Sequence, residues 1–411
     1  MIDSIRSGSW LTGERVWAYA LIMVGLSMAA IAIWIVLADD LIDRNGKPLG
    51  TDFSNVWSAG TLVLDGAPEA SYDPASHYEA QREAFGGRDV PFYGWHYPPM
   101  FLGMAALLAL FPYGLALALW MAGTLAGYLA AMRVIVPTQA LGAVMLVALA
   151  YPAVFVNIGH GQNGFLTAAL LGGALVLLDR KPVVAGVLIG LLAYKPQFGV
   201  LIPLVLAATG RWQSFAAAAI TVLVAAGLSF LAFGTETWLA FGESTNFTRD
   251  HVLEAGGTGW QKIQSAFAAA RSWGAPTGMA YGLQALFAVS AAISLTWLWR
   301  SQAAFALKAA ALAAASLLAT PYVLDYDMMV LAVALAFFAA HGFERGFLPY
   351  EKTLLAAVWL TPLIARSVAG ATGVPLGFIA IAVLFILILH RAVSDLAATD
   401  VFTRGENLAQ A

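Results

Sequence analysis

The residues best placed to do chemistry are a handful of carboxylates, imidazoles, amides and lysines that interrupt an otherwise apolar chain. The first is Asp52, in Thr51-Asp52-Phe53-Ser54-Asn55-Val56-Trp57-Ser58-Ala59-Gly60, which follows the first strongly hydrophobic stretch. A carboxylate just beyond a membrane span sits where a reaction at a bilayer surface would want its base. Phe53 and Trp57, with Val56, Gly60 and Val63 on the same side, are spaced for a helix lying on a membrane with one apolar face. Asp52 has a second reading as the N-cap of that helix. One carboxylate cannot both sit in a tight cap and take a proton from a substrate, so the two readings compete.

Further along, Asn157-Ile158-Gly159-His160-Gly161-Gln162-Asn163-Gly164 packs His160, Gln162 and Asn163 into a glycine-rich turn between two spans. Its glycines let backbone amides approach a ligand, and the three side chains supply donors. Trp95-His96-Tyr97-Pro98-Pro99 turns the chain into the membrane, with His96 a candidate for a phosphate or sugar hydroxyl. Lys195, in Tyr194-Lys195-Pro196-Gln197, falls at the tip of a short apolar hairpin, with Gln197 beside it. A lysine below the membrane surface must find an anion, either a phosphate or a carboxylate such as Asp52, unless it snorkels to the interface. Thr320 to Asp327 brings Tyr322, Asp325 and Asp327 to a span junction, where one aspartate caps the next helix and the other is free to face a cavity. Arg249 lies in a Gly-rich stretch, 234–278, pliable enough for a lid or an acceptor-binding loop. Asp73-Pro74 and Asp65-Gly66 have structural roles, as helix start and turn.

The elements that position these residues are membrane helices. The 411 residues are 60% hydrophobic and 11% charged, with a mean hydropathy of +0.77, so the chain is an all-α polytopic membrane protein. A net charge of −3 excludes nucleic acid as a partner. Cysteine is absent, and no His, Asp or Glu spacing specifies a metal, so no cofactor is expected. Candidate spans run over about 17–38, 114–133, 140–157, 164–179, 182–194, 197–209, 213–233, 279–299, 303–319, 326–340, 353–369 and 375–390. Short basic connections at Arg133, Asp179–Lys181, Arg211, Arg300 and Glu344–Lys352 alternate with longer ones rich in acids, aromatics and glycine. The positive-inside rule puts the basic set and both termini in the cytoplasm. The apolar stretch Pro98–Phe111 breaks that alternation if it crosses, and it is short for a ~30 Å core, so it reads as re-entrant or surface-lying. The polar motifs then share one face, led by the first outer loop, 39–97, within a single membrane domain spanning 1–411.

Asp52-Phe53, Trp57-Ser58-Ala59-Gly60, Leu64-Asp65-Gly66 and Ser71-Tyr72-Asp73-Pro74 together resemble the first outer loop of glycosyltransferase family 87. Tyr97-Pro98-Pro99, Gly161-Gln162-Asn163, Tyr194-Lys195-Pro196-Gln197 and Leu324-Asp325-Tyr326-Asp327 extend the likeness over nearly the whole chain. It is similar to the mycobacterial mannosyltransferases that extend phosphatidylinositol mannosides. The resemblance implies a GT-C fold, a polyprenyl-phosphate-linked sugar donor, commonly mannose, and a lipid or glycan acceptor. It also implies a bacterial cytoplasmic-membrane enzyme working at the periplasmic face, with Asp52 as its acidic base. Inverting transfer would suit these residues: one carboxylate takes the acceptor's proton, while Lys195 and His160 stabilise the leaving phosphate. Two other classes compete. A transporter or flippase places its ionisable residues near mid-membrane and often carries inverted repeats, neither of which is visible here. An O-antigen ligase or polymerase has its large outer loop late in the chain, whereas the acidic loop here follows the first span.

Overall fold

The computed structural model describes residues 2–136 and 141–409, with side chains through Ala398; the first residue of the span expected over 140–157 lies outside the described residues. In chain order the helices are α1 (Ile2–Ser7), α2 (Gly13–Val36), α3 (Phe53–Leu64), α4 (Pro74–Ala84), α5 (Leu102–Ala109) and α6 (Tyr113–Ile135). Next come α7 (Leu141–Leu149), α8 (Pro152–His160), α9 (Gly164–Leu177), α10 (Pro182–Leu191), α11 (Leu201–Ala208) and α12 (Trp212–Phe247). The last six are α13 (Ala266–Ser272), α14 (Thr277–Arg300), α15 (Phe305–Leu318), α16 (Met329–Arg345), α17 (Glu351–Thr372) and α18 (Leu376–Ala409). Among the described residues, seven helices are long and apolar enough to cross a membrane, and α7 with α8, bent by 43°, makes an eighth if counted as one span. The protein is an all-α, multi-pass membrane protein.

Burial sorts these helices into layers. From Met329 to Phe338 α16 is buried throughout, and Ala309 to Leu318 of α15 pack against it as an alanine-rich face that lets the two helices approach closely. By contrast α2 and α12 show apolar side chains on nearly every face, as helices bathed in lipid do. Contacts divide the molecule into two ends. At one, the Tyr350 amide donates to the Arg6 carbonyl (2.6 Å), Arg211 pairs with Asp179 (2.7 Å), and Arg391 pairs with Glu351 (2.8 Å). The other end holds the first long loop, the α8–α9 turn, the α12–α14 connection and the start of α16, and the site lies there.

Three expectations are corrected. The apolar face of α3 packs on protein rather than being left open for lipid: Phe53, Ser54, Asn55, Val56, Ser58, Ala59 and Gly60 are all buried, and the helix is wedged against α4 and α5. Gly60 is the contact point, where a Cβ would come 2.1 Å from the Ala105 carbonyl oxygen of α5. The stretch expected to be a pliable loop from 234 is largely ordered structure. α12 bends at Gly234 (φ 78°, ψ 175°) and continues to Phe247, a wide turn spans Thr248–Glu254, and α13 follows. The Gln264 amide is tied to the Val323 carbonyl at 2.7 Å. Finally, Lys195 does not reach Asp52; its partner is Asp327. Of the other expectations, α5 is eight residues long, and both its flanks contact the first loop: Tyr72 donates to the Tyr97 carbonyl (3.0 Å), and the Trp57 indole to that of Phe111 (3.0 Å).

Candidate active site

Asp52 precedes α3, but its side chain makes no capping bond to the helix. The competing structural role is therefore not taken up, whereas Asp73 does cap α4, accepting from the Ser76 amide at 2.8 Å. Asp52 is partly buried, and its Oδ2 accepts a hydrogen bond from Gln162 Nε2 at 3.1 Å and lies 3.8 Å from His160 Nδ1. Oδ1 has no donor among the described residues. Both partners come from the α8–α9 turn, whose path is set by Gly161: its φ of 61° ends α8 in the left-handed conformation. A Cβ there would sit 2.6 Å from that of Phe53 and 2.9 Å from the Gly50 carbonyl oxygen, so only glycine brings the turn against the start of α3. Asn157 locks the turn from below, donating to the Gln162 carbonyl (3.0 Å) and accepting from the Gly164 amide (2.8 Å).

His160 is held on two sides. Its Nδ1 is 3.0 Å from Thr51 Oγ1, and its Nε2 is 3.5 Å from Arg366 Nη1. Arg366 has no acceptor capacity, so Nε2 faces it as the acceptor and Nδ1 carries the proton toward Thr51. The same guanidinium lies 3.5 Å from Asp325 Oδ2, while Asp325 Oδ1 accepts from the Tyr326 amide at 2.9 Å. The Tyr326 ring stands 5.7 Å from that of His160. One further cation borders the group. The side chain of Lys262, on the Trp260–Lys262 turn that packs on α17, has no hydrogen bond or ion pair among the described residues. Burial and the neighbouring guanidinium of Arg366 lower its pKa, while Asp52 and Asp325 pull the other way. The site thus holds two cations, one fully unpaired, beside a carboxylate with an open oxygen.

The other expected residues fall into four groups. Asn163 and Gln162 meet through Tyr97, whose hydroxyl donates to Gln162 Oε1 (3.1 Å) and accepts from Asn163 Nδ2 (2.8 Å). His96 is at the margin, its Nδ1 2.8 Å from Thr248 Oγ1, and burial pushes its imidazole down to about 4 against the pull of Asp52. Lys195 and Asp327 form a buried pair at 2.6 Å behind this layer, with Lys195 over the Tyr326 ring at 5.0 Å. Asp327 also closes the turn before α16, accepting from the Leu324 amide at 2.9 Å, so it is the capping aspartate as well as the partner of Lys195, while Asp325 faces Arg366. Gln197 stays at the hairpin tip, Tyr322 is half-buried against the small cluster around Leu253 and Phe267, and Arg249 is exposed in a local pair with Asp250 (2.8 Å). Among the described residues no three His, Asp or Glu side chains gather as metal ligands.

Arg366 and Lys262 were missed in the sequence. Arg366 had a signal, as the one charge within the expected span 353–369, and an intramembrane charge is a functional candidate by default. Lys262 had none. No curated protein and no solved structure matches the chain. The model of one family, glycosyltransferase family 87, matches residues 95–321. That segment contains Tyr97, His160, Gln162, Asn163 and Lys262, and Asp52 and Arg366 flank it on either side. Since the match runs through more than half the chain, the protein belongs to glycosyltransferase family 87 and is a membrane glycosyltransferase.

Proposed function

We propose that the protein is a GT-C-type hexosyltransferase that moves a sugar, mannose first among the candidates, from a polyprenyl phosphate to a lipid or glycan acceptor. Its site would open to the periplasmic face of the bacterial cytoplasmic membrane, with the basic end and both termini in the cytoplasm. The observation that carries this reading is Asp52, held through Oδ2 with Oδ1 free, beside Arg366 and the unpaired Lys262. Asp52 takes the proton of the acceptor hydroxyl as that oxygen bonds to the anomeric carbon. The bond from that carbon to the phosphate oxygen breaks on the opposite face, and its electron pair leaves with the polyprenyl phosphate, inverting the centre. Lys262 and Arg366 are the groups suited to hold that phosphate and the charge it gains. Lys195, neutralised by Asp327, is a support behind them.

The test uses the purified protein in lipid nanodiscs with radiolabelled mannose, glucose, galactose or arabinose on a polyprenyl phosphate, bacterial membrane lipid as acceptor, and the matching nucleotide sugars as controls. Label should pass to lipid from one polyprenyl-linked sugar and from none of the nucleotide sugars. Transfer from a nucleotide sugar would overturn the donor assignment.

A further inference from the structure

Gln162 touches the proposed base directly, and its orientation is dictated by its neighbours. The Asn163 backbone amide lies 3.0 Å from Oε1, and an N–H can only donate. The amide oxygen must therefore face Asn163 and Tyr97, which leaves the NH₂ group facing Asp52 Oδ2 at 3.1 Å. A flip would set NH₂ against N–H in a buried place, since Gln162, Asn163 and Tyr97 are 5%, 2% and 7% exposed. Tyr97 is held in turn against two rings, Trp95 at 5.0 Å and Phe101 at 5.0 Å. A rigid chain thus runs from Asn163 Nδ2 to the Tyr97 hydroxyl, on to Gln162, and ends as a single N–H donor on one oxygen of Asp52.

We propose that Gln162 is the positioning residue of the transfer reaction: its locked amide pins Oδ2 of Asp52 and so presents Oδ1 to the acceptor hydroxyl. This rests on Asp52 being the base. Pinning one oxygen removes the carboxylate's rotation, which otherwise spreads its basic lone pairs over orientations that miss the substrate. Water or substrate need compete only for Oδ1.

Gln162→Glu separates this role from a structural one. A carboxylate there still accepts from Tyr97 and the Asn163 amide, so the turn keeps its bonds, but it cannot donate to Asp52 and sets a like charge beside it. The other charged and titratable groups around Asp52 are unchanged: His160, Arg366, Lys262, Asp325, His96, Tyr93, Tyr97, Tyr113, Tyr322 and Tyr326. With the polyprenyl-linked sugar that the wild type turns over, Gln162→Glu should lower kcat about 10–100-fold at neutral pH with little change in donor KM. The acidic limb of its rate profile should move up by about one pH unit. Gln162→Asn, a shorter amide that cannot span both partners, should lower kcat without moving that limb as far. Asp52→Asn is run alongside. If it is inactive while Gln162→Glu keeps the wild-type limb and kcat, the positioning role is wrong and the base survives. If Asp52→Asn is active, both fall.

Discussion

At the residue scale the site depends on a few charges in one arrangement. Arg366 reaches Asp325 and His160 at 3.5 Å each, contacts long enough to shorten onto a substrate anion. Arg366→Ala should therefore cut turnover by about 10²–10³, as losing a donor to developing charge does. Lys262→Ala, which removes a cation with no protein partner, should raise donor KM more than it lowers kcat; steady-state kinetics over donor concentration separate the two. Asp52, His160 and Gln162 were legible in the sequence because polar residues crowded by glycine in an apolar chain have few structural uses. The partner of Lys195 was not legible. Two carboxylates two residues apart, Asp325 and Asp327, point to different layers, and which one caps the turn is settled by tertiary packing.

At the element scale the hairpin of α10 and α11 is fastened to the start of α16 by the Lys195–Asp327 pair, 6% and 2% exposed at the side chains. Removing one partner of such a pair leaves a buried charge. Lys195→Ala should destabilise the protein by about 3–5 kcal/mol, whereas Lys195→Met with Asp327→Asn should recover most of that. Asparagine still accepts from the Leu324 amide, so the turn is kept. Thermal unfolding in detergent measures both, and equal losses in the single and double variants would contradict the role. The helices were read from long apolar runs, but α3 was misplaced for a physical reason. Its apolar stripe, with Ser58, Ala59 and Gly60, fits a close protein interface as well as a bilayer, and the stripe alone does not say which. The bend at Gly234 was equally hidden, since a glycine in an apolar run looks like a span's end.

At the scale of the whole molecule, the polar end must stay folded on the bundle for the site to exist, and two histidines, one buried and one half-buried, make that pH-dependent. His77 is 1% exposed; burial, with the neighbouring His96, pushes its imidazole down to about 3, while His96 is pushed to about 4. Both are neutral when folded and take protons when unfolded, so the unfolded state binds more protons below the ordinary value near 6.5. Stability is full above about 6.5 and declines as pH falls toward 4 and 3. The melting temperature should drop over that window, and His77→Phe, packed beside Phe92, should flatten the drop. The two-ended layout was legible from the alternation of basic and acidic connections; the convergence of Asp52, the α8–α9 turn and α17 was not, because no local pattern encodes contacts between residues 52, 160 and 366. That convergence makes Asp52 the centre of the account, and transfer of radiolabelled sugar by Asp52→Asn tests it most directly. The amide has nearly the same shape but accepts no proton, so turnover should fall by about 10²–10⁴ with folding and donor binding retained. Asparagine also caps a helix as well as aspartate does, so near-wild-type transfer by this variant would mean that Asp52 serves the fold and that the base lies elsewhere.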